Sequence, residues 1–170
     1  MTRTLLFAAA AVAALSACVP AEINQKPIPY RPTKKLNEKG THSFEARAFS
    51  VQPGKKEELR GVPCTMSAAG FSSSFTTPAV VITPDMGQRT PTGSIECVYE
   101  GQKKLQILDP RNMTTLEIDT SAQRATAGAG LLGLVVGGIS ASVQKSRRDP
   151  TLDVYGYSDV NIEFRQKNKE

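Results

Sequence analysis

The 170-residue chain has no Trp, a single His, three Cys and only 6% aromatic residues. Each scarcity removes a class of chemistry. Three cysteines without C-x-x-C spacing, beside one histidine, exclude zinc-type ligand spacing and a thioredoxin-like redox centre. No phosphate loop or dinucleotide fingerprint occurs. Serines and threonines are plentiful, but a hydroxyl nucleophile needs a base, and His42 stands at the end of a Pro-rich stretch with no acid adjoining it. Asp85, Asp109, Asp149, Asp153 and Asp159 are expected at turns, where Asp bonds its own backbone. No pattern singles out a carboxylate pair for glycoside cleavage. The chain is therefore expected not to be an enzyme and to carry no metal and no cofactor. A formal charge of +5 is spread among acids, without a basic helix or interleaved aromatics, so nucleic acid is not an expected partner.

What is present begins at the N-terminus. Arg3 precedes an unbroken apolar run, Leu5 to Leu15, too short for the roughly 20 residues a bilayer span requires and typical of an export signal. The run closes on Leu15, Ser16, Ala17 and Cys18. That order resembles the lipobox of bacterial lipoproteins, which implies cleavage after residue 17 and a diacylglyceryl group on the Cys18 thiol. Membrane lipid, reached through acylated Cys18, is thus an expected partner, and more than one acyl chain gives stable anchoring. In such lipoproteins an Asp after the Cys retains the protein at the inner membrane. Val19 stands there instead, implying the periplasmic face of the outer membrane.

Assigning Cys18 to lipid leaves one pair, Cys64 and Cys97, for which an oxidising periplasm favours a disulfide. Closing a loop of about 34 residues would stabilise the fold by roughly 3 to 4 kcal/mol, useful reinforcement for a core poor in large side chains.

The mature chain divides into four parts. Residues 18–42, with Pro20, Pro27, Pro29 and Pro32, read as an extended tether able to hold the domain tens of Å from the membrane. Residues 43–120 read as short strands separated by turns: Ser43 to Val51, Val62 to Ala68, Phe71 to Thr77, Ala79 to Thr83, Ser94 to Tyr99 and Lys103 to Leu108, the last with Leu105 and Ile107 inward, then a weaker candidate over Met113 to Asp119. Residues 121–148 contain a Gly-rich apolar segment, and residues 149–170 hold strand material over Leu152 to Tyr157, a terminal strand over Ser158 to Phe164 and a charged tail. The expected fold is mainly β: a small antiparallel sandwich braced by one disulfide. Both cysteines lie mid-strand on apolar faces, so their bond joins either two sheets or two neighbouring strands.

The stretch Thr76, Thr77, Pro78, then Ile95, Cys97 and Gly101, followed by the Gly-rich segment and a Tyr-containing final strand, resembles a loose group of Cys-braced envelope lipoproteins over about residues 61 to 164. Over about 30 residues it also resembles PEGA-type β domains, although the Pro-Glu-Gly-Ala run is missing. Both resemblances imply only a fold.

Ala127 to Val143 is uncharged and, if helical, sets Gly130, Gly133 and Gly137 on one stripe and Leu132, Val135, Val136 and Ile139 on another. Seventeen helical residues reach about 25 Å, short of the roughly 30 Å hydrocarbon core. Three readings stand: a helix or hairpin packed on an open sheet face, membrane contact or self-association through the glycines, or a mobile loop. The functional expectation is a lipid-anchored envelope protein with a noncatalytic structural or interaction role, its partner an envelope protein or cell-wall polymer. The alternative is a periplasmic glycan- or ligand-binding module that stacks sugars on Tyr99, Tyr155 and Tyr157.

Overall fold

The computed structural model describes residues 20–121 and 145–165. Two sheets face each other across one apolar core. The second sheet is organised around β2 (Gly40–Gln52), whose 13 residues alternate in burial so that Phe44, Ala46, Ala48 and Ser50 point inward. Along one side of β2 lie β6 (Ala79–Asp85), antiparallel to its first half, and β3 (Lys55–Leu59), antiparallel to its second half. Along the other side runs β11 (Val160–Arg165), parallel to β2. The first sheet has the order β1 (Arg31–Pro32), β5 (Phe71–Thr76), β4 (Pro63–Ala68), β7 (Gly93–Tyr99) and β8 (Gln102–Leu108). A short pair, β9 (Arg111–Asn112) and β10 (Tyr155–Gly156), crosses one end. The mainly β, antiparallel and disulfide-braced sandwich agrees with the sequence pattern, with β2 and β11 a parallel exception.

Cys64 and Cys97 are direct partners of β4 and β7 and are bonded to each other, with Cα atoms 4.1 Å apart. That closeness marks a non-hydrogen-bonded pair, the site on neighbouring antiparallel strands where side chains come nearest. The bridge therefore ties two strands of one sheet rather than two sheets. Both residues are buried beside Met66 and Ile95.

The segment read as a tether is part of the fold from residue 21 onward. Extended backbone, which prolines favour, is also backbone that can bond a strand edge. Ile28 donates its N–H to Val80 O and accepts from Ile82 N–H, both at 2.8 Å, on the open edge of β6. Arg31 and Pro32 then pair with Ser72 and Phe71 on the other sheet, Thr33 N–H reaches Gly70 O and Lys39 N–H reaches Asp85 O. Tyr30 sets its ring edge-on to Phe71 at 5.8 Å and its hydroxyl donates to Glu38. Residues 21 to 39 thus form a strap that closes one side of the sandwich by bonding both sheets.

Three local expectations are corrected. Leu105 and Ile107 face outward, 64% and 57% exposed, because the tight turn at Glu100 and Gly101, both at positive φ, sets a register opposing Lys104 to Cys97 and Gln106 to Ile95. Residues 113–121 are helical rather than strand. Asn112 Oδ1 accepts the N–H of Thr115 at 3.0 Å, an N-terminal cap, and Asp119 and Thr115 are held by Lys145 and Arg148. These contacts override the local β preference. Finally, Leu152 to Tyr157, read as strand, forms a 3-10 turn (Pro150–Leu152) and then the two-residue β10, because Asp149 accepts the Thr151 N–H and caps the turn. The strand β3 was not read from the sequence at all.

Candidate functional site

Two polar constellations are built by the strands, one near the start of the strap and one at the end of the sandwich. The first forms because the Pro53–Gly54 turn, with Gly54 at φ 75°, folds β3 back on β2 so that Glu58 opposes Phe49 on the outer face. Glu58 thereby comes beside Arg47. The Arg47 guanidinium donates to Glu58 Oε1 at 2.7 Å and to Glu45 Oε2 at 3.0 Å. Partial burial works against its charge, and its hydrogen bonds to Glu58 and Glu45 outweigh that, holding its pKa above the ordinary value. The same pair grips the strap: Ala21 N–H donates to Glu58 Oε2 at 2.7 Å, and Arg47 Nη1 donates to Ala21 O at 2.8 Å. Both backbone groups of one residue are fixed by one ion pair.

The second constellation gathers where β2 and β6 meet β10. Asp85 Oδ1 accepts the N–H groups of Gly87 at 2.8 Å and Tyr155 at 3.1 Å, pinning β10 to the end of β6. Asp159 Oδ1 accepts the Glu45 N–H at 2.7 Å. Between them stands His42, a residue of β2, not of a free linker. Its Nδ1 is buried without a partner and lies against Gly156. Burial lowers its pKa, and the charges of Asp159 and Asp85 oppose the shift, so at neutral pH the ring is uncharged. Asp153, also buried, accepts from Asn112 at 2.6 Å and pairs with Arg148 at 3.1 Å through Oδ2. The carboxylates hold backbone N–H groups, an amide and a guanidinium, with Asp153 Oδ1 buried and without a partner among the described residues, which makes this cluster a structural clasp.

The tyrosines do not share a surface. Tyr157 is fully buried, edge-on to Phe44 at 6.0 Å, with its hydroxyl donating to Pro91 O at 2.6 Å and its pKa pushed up to about 12 by burial. Tyr99 lies 5.5 Å from Phe164, and Tyr155 is held in β10. Of the residues singled out from the sequence, Cys64 and Cys97 are joined, while Cys18, Gly130, Gly133 and Gly137 lie outside the described residues, as does the packing of the Gly-rich segment. Among the described residues no helix is long and apolar enough to cross a membrane, and no group of three or more His, Cys, Asp or Glu side chains is placed to hold a metal ion. Arg47 and Glu58 escaped the sequence reading. Treating Pro53–Gly54 as a hairpin turn would have found them, since it opposes Phe49 to Glu58. The chain matches no known protein family, no curated protein and no solved structure.

Proposed function

We propose that the chain is a lipid-anchored protein of the cell envelope, held through acylated Cys18 at the periplasmic face of the outer membrane, with a noncatalytic structural or interaction role toward an envelope protein or wall polymer. The observation that supports it best is the grip of Arg47 and Glu58 on Ala21, three residues after the lipobox cysteine. A fold that begins this close to Cys18 suits a protein whose first mature residue is a fixed point. Three residues span about 10 Å at full extension, so such an anchor would keep the domain beside its membrane rather than reaching away from it. The Cys64–Cys97 bond suits the oxidising compartment this reading requires.

Intact mass spectrometry of the membrane-extracted protein tests it. The expected mass is that of residues 18–170 plus diacylglyceryl and an N-linked acyl chain, less two hydrogens for the disulfide. A species that retains residues 1–17, or one lacking acyl mass in a membrane fraction washed with carbonate, refutes the anchor. Crosslinking in intact cells addresses the role, which fails if no envelope protein or wall polymer is recovered.

A further inference from the structure

A concavity of about 240 Å³ opens where the strap passes the β4–β5 turn and the Gly87–Arg89 turn. Its lining combines apolar Leu36, Met86 and Pro91 with the cations Lys34, Lys35 and Arg89. These three cations are exposed and none makes an ion pair among the described residues, in contrast to Arg47, Lys55, Lys56 and Lys103 elsewhere on the fold. No carboxylate lines the concavity. The wall is built rather than incidental. Gly70, at φ +108°, leaves room for the strap to lie on the turn, since a Cβ there would sit 2.7 Å from Lys34 Cε and 2.8 Å from Leu36 Cδ2. Thr33 N–H bonded to Gly70 O at 2.8 Å fixes the approach.

Three positive charges lining one concavity without a counter-charge create a potential that a dianion satisfies better than a monoanion, and Lys and Arg are the usual donors to phosphate oxygens. The apolar side chains of the lining add a demand that inorganic phosphate does not meet. The volume falls below the about 300–1,000 Å³ of clefts that enclose drug-sized ligands, which limits the occupant to a compact body. We propose that this concavity is a binding site for a small phosphate monoester, with the phosphate among Lys34, Lys35 and Arg89 and a short apolar substituent on Leu36 and Met86. The site is independent of the lipid anchor: its residues all lie within the described fold.

The test is an NMR titration of the full mature protein with phenyl phosphate, and with inorganic phosphate, phenyl sulfate and benzyl alcohol as comparison probes. Phenyl phosphate is expected to shift the amides of Leu36, Gly70 and Met86 saturably, with affinity at least tenfold above that of the other three and falling as salt is raised. The double variant Lys34→Ala, Arg89→Ala is expected to lose at least tenfold in affinity while its remaining spectrum overlays the parent's, as both side chains are exposed. No saturable shift with phenyl phosphate, or an unchanged affinity in a folded double variant, overturns the site. Equal binding of phenyl sulfate overturns the dianion assignment, and equal binding of inorganic phosphate overturns the role of the apolar lining.

Discussion

Gly156→Ala is the sharpest probe of how β10 is seated. An added Cβ would lie 2.4 Å from His42 Nδ1, 2.5 Å from Cγ and 2.9 Å from Cβ. A change of rotamer can withdraw the ring, but the His42 Cβ moves only with the backbone of β2, which is paired there with β6 through Thr83 and bonded by Thr83 Oγ1 to His42 O. On the other side, Gly156 is paired with Arg111 and its neighbour Tyr155 is held by Asp85. Neither wall yields cheaply. Overpacking costs about 1–3 kcal/mol, and the upper end, about 3 kcal/mol, is expected here. At a urea slope of about 2 kcal/mol/M the midpoint falls by roughly 1.5 M. The companion His42→Ala removes the two nearest contacts, so in the double variant at least about 1 kcal/mol of the glycine substitution's cost should vanish. Urea unfolding followed by circular dichroism on all four proteins of the cycle measures this. A Gly156→Ala protein within about 0.5 kcal/mol of the parent, or costs that simply add, would refute the packing argument.

Replacing Cys64 and Cys97 together by Ser opens a crosslink of sequence separation 33 and is expected to cost about 3 to 4 kcal/mol, read from the same unfolding assay; a loss under about 1 kcal/mol contradicts the entropic account. The depressed pKa of His42 means that the folded state resists protonation while the unfolded chain does not. The corresponding stability is present above about pH 6.5 and is lost as pH falls below it. His42→Phe should flatten the urea midpoint between pH 7.5 and 5.5, and an unchanged slope would assign the acid sensitivity to other groups. Leu105→Gln and Ile107→Gln should each leave stability within about 0.5 kcal/mol, whereas a loss near 2 kcal/mol would mean that the outer face of β8 is covered.

Much of the first sheet was legible because its strands obey one rule. In β4 and β7, and in β5 apart from the buried Ser73, inward non-polar residues alternate with outward ones, and the pairing of Cys64 with Cys97 follows from parity and from both lying on those inward faces. The rule fails at the margins. On β8 Leu105 and Ile107 alternate correctly but point the wrong way, since the two-residue turn, not hydrophobicity, sets the register. On β3 the residues Lys55, Lys56, Glu57 and Glu58 hide a strand, because an edge strand gains protection from charge. Residues 113–121 carry β-leaning threonines yet are helical, as contacts to Lys145 and Arg148 outweigh propensity. Of the polar sites, Asp85 and His42 were visible as residues but not as neighbours: 43 positions apart in the chain, they are brought to the same end of the sandwich only by the pairing of β2 with β6. The cations of the concavity are split in the same way, Lys34 and Lys35 from Arg89, and the strap that unites them was indistinguishable from a linker because nothing in a proline-rich stretch announces the strand edge it will bond.

The strap also acts as a guard. Peeling residues 25–39 from the domain would bare the lateral N–H and C=O groups of β5 and β6 together, one from each layer, and unsaturated edges of that kind invite pairing with other chains. Removal of this stretch is therefore expected to raise the domain's tendency to self-associate, which size-exclusion chromatography of the trimmed and untrimmed chains measures.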